Sequence, residues 1–218
     1  MRTDTGTPLP PLRVGVLGTG NVARALAPGW IAAGHDVLLG SRTPAARKPE
    51  WGDLPVASLP DTAAHAEVLV NVTPGTESVT VLGGLDPADL SGKVLMDIAV
   101  GFTPEGRLSH LEESLGEEIQ RTFPRLRVVK TFTTVDCAVM ADPALLTGPS
   151  TQFLSGDDPD AKRVVARLMT DLGWPEEALL DLGGIGAAAG QEHVAYLFVA
   201  IARSLGDYRF SLRVVPPK

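Results

Sequence analysis

The sequence predicts a doubly wound α/β fold, a mostly parallel sheet with helices on both faces and a small C-terminal α/β extension. Runs rich in Val, Leu and Ile recur at residues 13–17, 36–39, 68–72, 93–98, 126–130 and 151–154. Most are too apolar to keep one face in water, which suits parallel strands covered on both sides. Helix-length segments such as 22–33 and 76–82 lie between them, and this alternation is the pattern of a doubly wound sheet.

Taken in order, residues 1–12 read as a flexible tail, polar and proline-containing, without the apolar stretch of a signal peptide. Strand 13–17 leads into helix 22–33, whose apolar face is traced by Val22, Ala25, Leu26, Trp30 and Ala33. Pro28 and Gly29 fall inside it and predict a kink, because proline removes a backbone donor. Residues 158–172 set Ala161, Val164, Val165, Leu168 and Leu172 at helical spacing, with Gly173 as a stop. A second C-terminal helix is expected over 187–204, where Val194, Leu197, Phe198 and Ile201 repeat at three and four residues. That stripe reads first as core, and as an oligomer interface in the alternative. Residues 210–215 read as a terminal strand. No linker divides the chain, so 13–218 form one domain with 156–218 as its extension.

Composition narrows the function. With 218 residues and 44% hydrophobic content the chain can bury a sizeable core. A net charge of −7 disfavours nucleic acid, which asks for a basic face. Cys137 is the single cysteine and no Cys and His cluster has zinc spacing, so neither disulfides nor a structural metal are expected and the chain reads as cytoplasmic. No uninterrupted run of ~18 apolar residues points to a membrane partner.

The first strand runs directly into Gly18-Thr19-Gly20-Asn21-Val22-Ala23, a G-x-G-x-x-A fingerprint in the strand-to-helix context that makes it meaningful. Gly18 allows the tight turn, Gly20 lets the backbone approach a pyrophosphate, and Ala23 lets helix and sheet pack closely. Free amides at the helix start then face the phosphates. The fold is thus a dinucleotide-binding (Rossmann) domain. About twenty residues on, where an NAD site carries an acid for the ribose 2'-hydroxyl, the second strand ends in Ser41-Arg42-Thr43. The Arg42 fork, two hydroxyls and the nearby Arg47 and Lys48 favour a 2'-phosphate, hence NADP rather than NAD. The bland alternative for Arg42 is a solvated loop charge.

On these segments, with Gly34-His35-Asp36-Val37, Val128-Val129-Lys130-Thr131-Phe132 and Ser155-Gly156-Asp157-Asp158, the chain resembles the NADPH-dependent reductases of the deazaflavin coenzyme F420 and the related flavin-reducing domains, from about Arg13 to the C-terminus. The resemblance implies hydride passing directly from nicotinamide to a stacked deazaflavin or flavin, with positioning in place of a side-chain acid or base. It also implies that Val72, Thr73 and Pro74, with Ala99 and Val100, line the cofactor crevice at the carboxyl ends of strands. Lys130, Phe132 and Thr133 are expected at the acceptor, a site that the extension 156–218 completes. Two positions depart from the family pattern, Thr133 where asparagine is common and Ala189 where arginine is usual, and both fall where the acceptor would sit.

The expected ligands are therefore NADP and a small-molecule acceptor, with coenzyme F420 or a flavin as the acceptor the resemblance implies, in a homodimer. Two other functions fit the same residues: an NADPH-dependent reductase of a small imine or carbonyl compound using Lys130 or the Thr133-Thr134 hydroxyls, and a non-catalytic NADPH-binding module. No catalytic side chain is assigned; Lys130 is the strongest proton-donor candidate, and its plain alternative is pairing with an acid or a loop carbonyl. Cys137 beside Asp136 reads as packing. His35 reads as a turn residue, His65 and His110 as surface residues, and His193 as satisfied by a polar neighbour. Glu112, Glu113, Glu117 and Glu118 read as a solvated helix face.

Overall fold

The structure, a computed structural model, describes residues 9–46 and 49–217. Arg47 and Lys48, expected near the phosphate, and most of the expected tail lie outside the described residues. Residues 9–12 are not loose: Arg167 donates to the carbonyls of Leu9 at 3.2 Å and Pro10 at 2.7 Å, and Leu12 donates its amide to His35 Nδ1 at 3.0 Å.

The chain begins with β1 (Arg13–Leu17), α1 (Asn21–Ala32), β2 (Asp36–Ser41), β3 (Val56–Ser58), α2 (Leu59–His65) and β4 (Val68–Asn71). It continues with α3 (Ser78–Gly83), α4 (Pro87–Leu90), β5 (Val94–Asp97), α5 (Leu115–Thr122) and β6 (Arg127–Lys130). The last part holds α6 (Cys137–Ala141), β7 (Gln152–Leu154), α7 (Pro159–Thr170), β8 (Leu179–Asp181) and α8 (Ala188–Leu205). The main sheet has six strands in the order β3-β2-β1-β4-β5-β6, all parallel. In register, Val16 sits between Leu39 and Val70.

Side chains alternate across a strand, and the core divides accordingly. Val14, Val16, Val68, Val70, Val94 and Met96 face one layer with Leu26, Trp30, Val165 and Leu168 of α1 and α7. Leu17, Leu69, Leu95 and Val128 face the other with Ala63, Leu82, Leu115 and Ile119 of α2, α3 and α5. Two buried indoles bind backbone carbonyls: Trp30 Nε1 reaches Leu168 at 2.8 Å and Trp174 Nε1 reaches Met140 at 2.9 Å.

Several expectations change. β3 and α2 are additional elements. Pro28 lies inside α1, where the sequence placed it; Gly29 is small because Leu172 packs where its side chain would be. β7 pairs with β8 in a separate two-stranded parallel sheet, joined to the main sheet by a Lys130–Ser155 bridge and by Leu154 in the shared core. Residues 210–215 form no strand, although Leu212 accepts from the Thr151 amide at 2.8 Å. In α8 the buried side is Ala188, Gln191, Glu192, Ala195 and Ala202, while Leu197 is 52% exposed and Val194, Phe198 and Ile201 are half-buried. Of the apolar stripe read as core, Leu197 thus faces outward and the other three are buried only in part. Residues 185–205 are long and apolar enough, by length and composition alone, to cross a membrane; here the Glu192 side is seated on α5 and β6.

Candidate cofactor cleft and the buried array beneath it

In a doubly wound sheet the loops at the carboxyl ends of the strands form a crevice where the strand order reverses. Here that crevice is a cleft of about 540 Å³. The β1 end contributes Gly18, Thr19, Gly20 and Val22, and the β2 end Ser41, Arg42 and Thr43. The β4 end contributes Val72, Thr73 and Pro74, and the β5 end Ala99 and Val100. Of the residues proposed for the cofactor, Asn21 alone does not line it; its Oδ1 accepts from Arg24 at 2.6 Å. Trp51, Leu59, Glu77, Val81 and Ile98 also line the cleft and were not singled out in the sequence, because they sit on loops and short helices that no motif marks.

The residues present fit a dinucleotide. Gly18 has φ +128, a conformation that side-chain-bearing residues rarely adopt, and a β-carbon there would lie 3.2 Å from Val72 Cγ2. Next to Gly20 the space within 4 Å is open, so a ligand can approach the backbone. No side chain caps the start of α1 and its first turn has no acid, which leaves the first amides free to bind an anion. At the neighbouring strand end, Ser41 Oγ accepts from the Thr43 amide at 3.1 Å and shapes the turn. Arg42 is exposed and makes no ion pair among the described residues. Among the described residues, the only acid in the lining is Glu77, on the α3 side.

Beneath the β4–β5 end lies a connected set of buried polar groups. Thr73 Oγ1 donates to Asn71 Oδ1 at 2.7 Å, and Asn71 Nδ2 donates to Asp97 Oδ1 at 2.8 Å. The same Asp97 oxygen accepts from the Ala99 amide at 3.2 Å. Lys130 Nζ lies 2.8 Å from Asp97 Oδ2 and 2.8 Å from Glu192 Oε1, and also donates to the Ala99 carbonyl. Glu192 in turn accepts the Leu115 and Gly116 amides at 3.0 and 3.2 Å, at the start of α5. Burial by itself would lower the Lys130 ammonium, but the two carboxylates, Asp97 foremost, outweigh it and hold the pKa above the ordinary lysine value. Ala99, a cleft residue, is thus gripped through both its amide and its carbonyl.

The residues expected at the acceptor sit in or beside this array rather than in the cleft. Lys130 is fully buried in the ion-paired array and reaches neither the cleft nor solvent. Its plain alternative, pairing with acids and a loop carbonyl, is the arrangement found. Phe132 is 1% exposed, packs on Trp174 with ring centroids 5.7 Å apart, and has φ 56. Thr133 donates its hydroxyl to the Gln191 carbonyl at 3.1 Å. Neither lines the cleft. His35 is more than a turn residue: its Nε2 lies 2.9 Å from Asp171 Oδ2. Asp157 and Asp158 serve structure, accepting from the Ile185 amide and from the first amides of α7. Cys137 packs half-buried on the core, and burial together with Asp136 raises its thiol pKa.

Residues 13–101 match the family described as NADP oxidoreductase, coenzyme F420-dependent. The crystal structure of a "putative f420 dependent nadp-reductase" from Arthrobacter sp. FB24 superposes with a TM-score of 0.86 and 35% identity, covering 94% of this chain and 100% of that one. Metalloreductase STEAP3 of Rattus norvegicus is 30% identical over 184 residues, 84% of this chain and 36% of its own length. Metalloreductase STEAP2 of Homo sapiens is 26% identical over 208 residues, 90% of this chain and 40% of its own length. The chain therefore spans well under half of these two curated relatives. An imine reductase from Pseudomonas sp. shares the fold at 18% identity, with a TM-score of 0.67, covering 90% of this chain and 64% of that one. A Rossmann sheet, a phosphate-ready glycine turn and these likenesses define an NADP-dependent oxidoreductase. Within that class, the chain belongs to the F420-dependent NADP oxidoreductase family.

Proposed function

We propose that the chain passes hydride between NADP(H), lying along the cleft, and a deazaflavin or flavin ring stacked on the nicotinamide at the β4–β5 end. One observation carries this reading: the cleft changes character along its length. Glycine amides, hydroxyls and Arg42 sit at the β1–β2 end, with Trp51 and Leu59 beside them, whereas Val72, Pro74, Ile98, Ala99 and Val100 form an apolar floor at the other, edged by Thr73 and Glu77. The first suits phosphates and the second suits the face of a flat ring. Bound NADPH supplies the hydride. The residues of the chain bind the phosphates, fix the ring plane against Pro74 and Ala99, and keep water from the rings. Holding two rings at reacting distance can by itself supply much of a rate enhancement. Bleaching of F420, FMN or FAD by NADPH under anaerobic conditions tests the reading; no reduction of any of the three by the purified protein would refute it.

The metalloreductase relatives favour a further acceptor class, an oxidised metal ion, which takes electrons singly and so needs a flavin to divide the hydride pair. A ferric chelate reduced only when FAD is also supplied would support that route. Reduction of a small imine through Lys130 loses its basis, since that ammonium is sealed beneath Ala99. The exposed Tyr196 and Leu197 of α8 support a homodimer.

A further inference from the structure

We propose that Ser109, His110 and Glu118 form a proton relay for the hydride acceptor, a role that rests on the hydride-transfer reading above. Hydride transfer to a flavin or deazaflavin delivers two electrons and one hydrogen. The ring system then takes up a proton at the nitrogen that gained the electron pair; Val72, Pro74, Ile98, Ala99 and Val100 of the floor carry no side-chain proton to give, and the Thr73 hydroxyl donates to Asn71.

The relay stands beyond that floor, where an acceptor ring reaching past Val100 would meet it; its three residues do not line the cleft themselves. Ser109 Oγ lies 2.7 Å from His110 Nδ1, and His110 Nε2 lies 2.7 Å from Glu118 Oε2, so both ring nitrogens are engaged in one line. Pro74 and Val100 line the cleft, and their next neighbours, Gly75 and Gly101, touch back to back. A β-carbon on Gly75 would collide with the Gly101 nitrogen, and one on Gly101 would collide with Ser109 Oγ. The Ser109 amide also donates to the Gly101 carbonyl at 2.9 Å. The serine hydroxyl is thereby fixed one residue past Val100, at the end where the acceptor ring would lie. Tyr196 of α8 holds the same loop, accepting the Leu108 amide at 2.7 Å, and its ring meets Phe102 edge-on at 6.5 Å. The charged groups around His110 are Glu118 and Arg121 of α5 and Glu113, which pairs with Arg121 at 2.8 Å. The His110 side chain is 17% exposed, enough to exchange protons with water.

The step balances as follows. The hydride leaves the dihydronicotinamide with both electrons, oxidising NADPH to NADP⁺ and reducing the acceptor ring. Ser109 gives its hydroxyl proton to the reduced ring's nitrogen and takes the Nδ1 proton of His110. Glu118 holds the imidazole through Nε2 while solvent restores the lost proton. The net consumption is one proton per NADPH.

The test uses the full chain with NADPH and FMN. His110→Ala is expected to lower kcat for FMN reduction about 100-fold, within the range for loss of a general acid, while the NADPH Kd stays within twofold. Added imidazole should restore part of the rate, and the solvent deuterium isotope effect should rise in Ser109→Ala. A readout independent of turnover is nuclear magnetic resonance of ¹⁵N-histidine in the NADPH-free protein. Oxidised FMN alone should shift the His110 ring signals in wild type and leave them unmoved in Ser109→Ala. Wild-type turnover with His110→Ala equally fast, or His110 signals indifferent to FMN, overturns the relay alone. Wild-type protein that reduces no flavin or deazaflavin overturns the hydride reading and the relay with it.

Discussion

Replacing Lys130 by methionine should cost far more stability than a typical substitution. The ammonium is fully buried with two carboxylates at 2.8 Å, and methionine fills similar volume, so the loss is electrostatic. Asp97 and Glu192 would remain with no cation between them; Asp97 keeps Asn71 and the Ala99 amide, and Glu192 keeps two α5 amides. Breaking a buried pair by removing one partner costs about 3–5 kcal/mol. For a domain of this size that lowers the melting temperature by roughly 6–20 °C. Because the fold raises the Lys130 pKa, its contribution is fully present below the ordinary lysine value of 10.5 and is lost only as pH rises through the higher folded value. The deficit of Lys130→Met, read by urea denaturation and circular dichroism, should therefore persist from about pH 6 to about pH 9. NADPH binding should weaken in parallel, since Ala99 loses its grip. A loss under about 1 kcal/mol, or one that vanishes within that pH span, would refute the account.

Arg42→Ala should weaken NADPH by about 1.5–3 kcal/mol at low salt, less as salt screens an exposed charge, and leave NADH nearly unchanged; fluorescence titration of both nucleotides decides it, and equal effects would remove Arg42 from the phosphate. Gly18→Ala forces a side chain into a φ of +128 beside Val72, so isothermal calorimetry should show NADPH affinity falling at least about tenfold. Leu197→Asp, on the exposed face of α8, should convert a dimer to monomers in sedimentation velocity without loss of the melting temperature; a wild-type monomer would refute that interface.

How far the sequence spoke depended on how local each signal was. The glycine turn and the strand before it are contiguous, so Gly18, Thr19, Gly20 and Val22 fall in the cleft where the pattern put them. Ser41 to Thr43 also follows from a strand end one helix away. β3 and α2 escaped because a three-residue strand is too short for periodicity, although Ser58, which caps α2 by accepting from the Asp61 amide, was a readable start signal. Lys130 was misplaced because its partners come from β5 and α8, and no local pattern reports a contact that folding creates. The α8 stripe failed for another reason: the buried face of that helix carries Gln191 and Glu192, polar residues that pattern reading assigns to water. His110 and Glu118 were read separately as surface groups, since a loop closing onto α5 leaves no periodic trace.

The back-to-back contact of Gly75 and Gly101 bears on how this scaffold could acquire new chemistry. A β-carbon on Gly75 would meet the backbone of residues 100 and 101, and one on Gly101 would meet the Ser109 hydroxyl, so a substitution at the seam moves the facing backbone in the first case and that hydroxyl in the second. Tailoring of acceptor choice is then confined to the few side chains that flank the seam, Pro74 and Val100 on the floor and Phe102 at the rim. A library randomised at those three positions would sample acceptor shape while leaving the dinucleotide end of the cleft untouched.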